Sequence, residues 1–183
     1  MTEPTTIRLL TPPVVEPVTL VEARAHLRLT SEERDDDVYI LGLIAAARRT
    51  IERRLGITLA ATQYRATWPN GGKVLRLPNP PLLVDAERPL SVTVDGTALA
   101  GAAYEADADA SPATITLDDS TTAKTVVTYW AGVAPGAAIP PQLRSALLLM
   151  VGHLYLSRDG GERVDMPPAV EMRLASESVS GVW

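Results

Sequence analysis

Asp35–Gly56 reads DDDVYILGLIAAARRTIERRLG, and its periodicity decides the helical half of the fold. Val38, Leu41, Ile44, Ala45, Arg48, Ile51 and Leu55 recur at helical spacing. Asp35, Asp36 and Asp37 stand where negative charge meets the positive end of a helix, and Gly56 is a natural stop. Arg48, Arg49, Arg53 and Arg54 crowd the last turns, where cations are favoured. This gradient from acid to base fits dipole complementation within one chain. It fits equally an acidic end set against a neighbouring copy's basic end, and the sequence leaves both open.

Upstream, Glu16–Leu29 reads EPVTLVEARAHLRL. Thr19 offers an N-cap and Glu22 completes a capping box, so a helix of about three turns is expected over Leu20–Leu29. The first fifteen residues are rich in Thr and Pro and are expected to extend along the surface or a neighbour. Downstream, Ile139–Arg158 reads IPPQLRSALLLMVGHLYLSR. Its prolines are tolerated in a first helical turn, where their missing N–H groups would have no partner. Leu143, Leu147, Met150, Val151, Leu154 and Tyr155 mark a wide buried face, with Leu148 and Leu149 making the helix apolar nearly all round. Beyond Gly160-Gly161 comes a tail, broken at Pro167-Pro168, with a short helix expected at Ala169–Ala175.

Between the helices the period changes to two. Thr62–Trp68 and Lys73–Leu77 alternate across Pro69-Asn70-Gly71-Gly72, which predicts a hairpin. Leu90–Val94 leads into Asp95-Gly96, a tight-turn dipeptide. Further strands fit Ala113–Leu117 and Thr125–Trp130, and the small, acidic Ala100–Asp109 reads as a loop. The expected fold is α+β: a small helical bundle of three main helices plus a C-terminal tail, with an inserted antiparallel β-region of five to six strands. All 183 residues are expected to form one domain, with helices in about 19–56 and 140–158, the β-insert in about 57–133 and a C-terminal arm in about 162–183.

Composition narrows the function. The net charge is −5 and the basic residues are scattered, without the stripe that a duplex-binding protein uses to displace counterions. Only Lys73 and Lys124 among seventeen basic residues are lysine, which with abundant alanine suggests a GC-rich genome. There is no cysteine, hence no disulfide framework or thiolate metal site. No apolar run is long enough to span a bilayer, and the N-terminus lacks the pattern of a signal peptide. Phe is absent and aromatics total 4%, so the core rests on Leu, Val, Ile and Ala, and oligomerisation is one way to supplement it.

No converging set of catalytic groups is visible. His26 and His153 each sit in an amphipathic helix without a second ligand at i+3 or i+4. Asp107, Asp109, Asp118 and Asp119 could offer oxygen ligands to a divalent cation, but the EF-hand spacing is missing and solvated loops are expected. The glycine pairs form no phosphate-binding loop and the serines lack a nucleophile elbow. Glu22 and Glu52 have Arg neighbours on helices, which reads as surface pairing. No catalytic residue, metal ligand or cofactor is therefore expected. Trp183 is either a free end or an anchor in a partner's pocket.

In their order and spacing, EPVTLVEARAHLRL, DDDVYILGLIAAARRTIERRLG, LPNPPL at Leu77–Leu82, VTYWAG at Val127–Gly132 and IPPQLRSALLLMVGHLYLSR resemble the gp6-like (phiE125 gp8-type) head–tail connector family of tailed phages and gene transfer agents. The chain departs from the pattern in its short β-region, its Ala100–Asp109 stretch and its tail, MPPAVEMRLASESVSGVW. The resemblance implies a structural adaptor, not an enzyme, forming a homo-oligomeric ring, twelvefold, beneath the portal protein at the head–tail interface of a particle assembled in the bacterial cytoplasm. It implies a tail-side stopper as a second partner and DNA passing through the channel without sequence-specific binding, with no membrane involved. Carried onto this chain, Asp36, Asp37, Arg48, Arg49, Arg53, Leu148 and Leu149 would make ring contacts. Val170, Met172, Arg173, Leu174, Val179, Val182 and Trp183 would form a portal-docking arm. A tail terminator, or a small ligand-binding domain with a β-pocket, are the alternatives.

Overall fold

The computed structural model describes residues 1–30, 32–157 and 166–180, the last five without their side chains. The chain divides into two compact units, each made of two separated stretches of sequence. Residues 16–59 and the described residues between 136 and 180 form a helical unit, while residues 1–15 and 60–135 form a β unit.

Four helices build the first unit: α1 (Leu20–Leu27), α2 (Asp37–Leu55), α3 (Pro141–Leu156) and α4 (Pro168–Ser180). The capping box at α1 is present as its sequence predicts. Thr19 Oγ1 accepts from the Glu22 N–H at 3.2 Å, and the Glu22 carboxylate accepts from the Thr19 N–H at 2.9 Å. Arg28, at φ 59°, ends α1 in the left-handed conformation. Gly56 does the same for α2 at φ 69°, its N–H donating to the Glu52 carbonyl.

The buried face of α2 is Ile40, Leu43, Ile44, Ala47, Arg48 and Ile51. This corrects the expected face at its N-terminal end, because Val38 is 83% and Leu41 48% exposed. Two apolar combs overlap in this helix and share Ile44, Arg48 and Ile51; the packing of α1 and α3 on α2 selects between them. On α3, Leu143, Ala146, Leu147, Met150 and Val151 are buried. Helix α4 is longer than the sequence suggests and packs on α3, with Val170 and Leu174 buried.

The β unit holds nine antiparallel strands in two sheets, more than the five or six expected. The larger sheet runs β1 (Thr6–Thr11), β2 (Thr62–Trp68), β9 (Thr125–Ala131), β5 (Ser91–Val94), β6 (Thr97–Ala98), with β4 (Leu82–Leu83) also on β9. The smaller runs β3 (Gly72–Arg76), β8 (Thr114–Thr121), β7 (Tyr104–Asp107). Ala66, Trp68, Val92, Val127 and Tyr129 of the first meet Leu75, Leu77, Ile115 and Leu117 of the second in one core. Trp68 and Tyr129 supply the bulk that an absent Phe would have given.

Two local expectations change here and one sharpens. The N-terminal segment does extend along the surface, but as an ordered strand, β1, paired with β2. Tyr104–Asp107, inside the stretch read as a loop, pairs with β8 after a 3-10 turn at Gly101–Ala103. The turn Pro69–Gly72 is a corner and not a hairpin: β2 is flanked by β1 and β9, while β3 joins the other sheet. Gly71 makes the corner at φ 55°, pressed against the carbonyls of Thr121 and Ala123. The Thr2 carbonyl locks it, accepting from the Trp68 indole at 2.9 Å and from the Arg76 N–H at 3.0 Å. Asp95-Gly96 does close a two-residue hairpin between β5 and β6, both residues at positive φ.

Candidate assembly surfaces

The charged residues singled out on α2 divide into those used inside the helical unit and those left outward. Arg48 is only 5% exposed. Its Nε donates to Glu16 at 2.7 Å and its Nη1 to Glu52 at 2.6 Å, while the other Glu52 oxygen accepts from the Leu59 N–H at 2.8 Å. Burial pulls the Arg48 pKa down, but the hydrogen bond to Glu16 and the Glu52 charge outweigh it and hold the guanidinium above its ordinary range. Burial raises the Glu52 carboxyl above 4.5, only partly offset by Arg48. One cation thus ties the chain entering α1 to α2 and to the segment leaving it.

At the other end of α2, Asp37 pairs with Arg24 of α1, and Asp36 accepts from the Tyr155 hydroxyl of α3 at 2.5 Å. Arg144 of α3 pairs with Glu22 of α1. Glu22 and Glu52, expected to make surface pairs, therefore join elements of the unit instead. The pairing that the acid-to-base gradient suggested is in these cases internal. Arg49 and Arg53 remain exposed, and Leu148 and Leu149 are half-buried. Val38, Leu41 and Val21 (75% exposed) add an outward apolar surface that periodicity did not assign. The signal was available in the second comb of α2, whose 40/43 phase leaves 38/41 outside.

In the C-terminal segment, Val170 and Leu174 face α3, whereas Met172 is 71% exposed and Arg173 also lies outward. Val179 lies in α4 without a described side chain, and Val182 and Trp183 lie outside the described residues.

Among the described residues, the side chains singled out for possible chemistry do not converge. Exposed His26 lies over Gly152, where an added Cβ would sit 3.4 Å from its Nε2. Asp107 accepts from the N–H groups of Asp109 and Ala110, a turn of its own loop. Among the described residues no three His, Asp or Glu side chains form a metal-holding group, and no helix is long and apolar enough to cross a membrane. The β unit does carry one open groove, of about 610 Å³, on the outer face of its larger sheet. Its lining is hydroxyl-rich and cationic: Arg8, Arg65 and Lys124 among threonines and Ser91.

Residues 17–82 match the family described as phage gp6-like head-tail connector protein. That span includes α1, α2 and the LPNPPL break, so the resemblance drawn from those segments holds. No curated protein sequence matches. A chain in the neck of an empty gene transfer agent particle, computed with C6 symmetry, superposes with a TM-score of 0.74 at 22% identity over 95% of both chains. One in the virion of a native gene transfer agent particle gives 0.73 at 22% over 94% of both. A neck computed with C12 symmetry gives 0.67 at 22% over 93% of this chain and 94% of that one. Both the helical and β halves of the chain therefore share the fold of these particle chains.

Proposed function

We propose that this chain is a head–tail connector subunit that closes into a ring, twelvefold, beneath the portal of a tailed phage or gene transfer agent particle. The observation that carries the reading is likeness over 95% of the length to a chain from a gene transfer agent neck, joined to the gp6-like connector match at 17–82. The absence of converging catalytic groups among the described residues is consistent with a mechanical role. Each copy would repeat the same modest contacts, and cyclic closure would sum them. Arg49, Arg53, Leu148 and Leu149, with the outward Val38 and Leu41, are the residues free to contribute. Asp36, Asp37 and Arg48 would act indirectly, by holding α1, α2 and α3 in place.

The exposed face of α4, at Met172 and Arg173, would meet the portal, with a stopper protein on the tail side and DNA passing through unread. The particle neck would be its location. The similar chains come from particle necks and a virion, which favours this reading over a tail terminator. The open polar groove lacks the enclosing apolar walls of a small-molecule pocket, so a ligand-binding domain gains no support from it. Negative-stain images of portal-bearing heads mixed with the protein should show an added ring; heads that remain bare would sink the proposal.

A further inference from the structure

The groove on the β unit has a charge pattern that the described residues do not satisfy. Arg8 on β1 stands directly opposite Arg65 on β2, and the same row continues to Thr128 and Ser91. Like charges directly opposite on neighbouring strands are destabilising. Neither arginine is in an ion pair with a carboxylate among the described residues, nor is the Lys124 side chain, and no acidic residue lines the groove.

The complementary feature lies on the smaller sheet, across the shared core. Strand β8 pairs with β7 only as far as Leu117, and its pairing with β3 jumps from Thr116 to Thr121. Asp118, Asp119 and Ser120 are therefore an exposed bulge with no strand partner in register on either side. Neither aspartate is in an ion pair among the described residues.

We propose that the Arg8–Arg65–Lys124 groove receives the Asp118–Asp119 bulge of the next copy in the ring. The inference rests on the ring reading, because a head-to-tail ring requires each copy to present two different, matching faces. Groove and bulge meet that requirement within one unit, one on each sheet. A phosphate backbone would also match the cations. A chain of net charge −5, with exposed acids of its own in that bulge, favours a second copy.

The chain has no native cysteine, which makes cross-linking clean. In full-length protein carrying Thr67→Cys in the groove and Ser120→Cys in the bulge, oxidation on portal-bearing heads should give a ladder of disulfide-linked multimers, since bonding needs Cα atoms within about 7 Å. Adding Arg8→Glu and Arg65→Glu should cut the ladder at least tenfold. Further adding Asp118→Arg and Asp119→Arg should restore it, because every groove and bulge then match again, and circular dichroism checks that each variant folds. Rings visible by electron microscopy without a ladder would overturn the inference and leave the ring standing. Absence of rings would remove the ring reading, and the inference with it. A ladder indifferent to Arg8→Glu and Arg65→Glu, with a salt-dependent duplex affinity lost in the same variant, would assign the face to phosphate and overturn the inference.

Discussion

Arg48 shows how one residue is both visible and ambiguous in the sequence. Its place on the apolar comb of α2 is legible from spacing, whereas the acid-to-base gradient left open whether its charge serves its own helix or a neighbour's acid. In the fold it is buried between Glu16 and Glu52. Arg48→Met should cost about 3 kcal/mol in denaturant unfolding, because two carboxylates are left around an apolar side chain. Glu52 gives a pH signature. Its folded-state pKa is raised, so the folded state holds its proton more tightly than the unfolded one. That contribution is complete below about pH 4.5 and is lost as the pH rises through the raised folded value. Glu52→Gln cannot titrate, so wild type should gain stability relative to the variant as the pH falls through this window. Unfolding midpoints across pH 3–7 (roughly the span of carboxylate titration) would read it. Gly71→Ala should cost about 2–4 kcal/mol by thermal unfolding. Its Cβ would sit 2.5 Å from the Thr121 carbonyl oxygen and 2.7 Å from that of Ala123, both backbone atoms, at a φ of 55°.

At the scale of elements, caps read well and partners did not. The Thr19–Glu22 box and the Gly56 stop use groups within a few residues of each other, so local sequence contains all of their physics. Thr19→Ala should destabilise by about 1 kcal/mol. Strand partners are chosen by distant residues, which is why a turn-forming Pro-Asn-Gly-Gly became a corner between two sheets. The tail teaches the same lesson. Read as a free arm, it could be removed without harm to the fold; packed as α4, it covers α3 with Val170 and Leu174. Leu174→Ala should cost about 2–5 kcal/mol in the unfolding of the helical unit. Met172→Asp, on the exposed face, should shift stability by less than about 0.5 kcal/mol. If α4 docks on the portal, the same variant should bind portal-bearing heads more weakly in a co-sedimentation assay, and unchanged binding would remove Met172 from that contact.

On the scale of the whole molecule, two units are each assembled from separated stretches of chain. Sequence by itself determined the helices, the change of period near Ile57, the α+β class and the connector resemblance, because each rests on order and spacing along the chain. Tertiary structure alone decided which comb of α2 is buried, that the first residues complete a sheet, and that the β-region is a two-sheet sandwich. It also set Arg8 beside Arg65, 57 positions apart in sequence (65 minus 8), and placed Asp118 on the opposite sheet. The physical reason is range. Helix propensity, capping and turn chemistry act over a few residues, whereas burial and strand pairing are settled by whichever distant surface fills the remaining space.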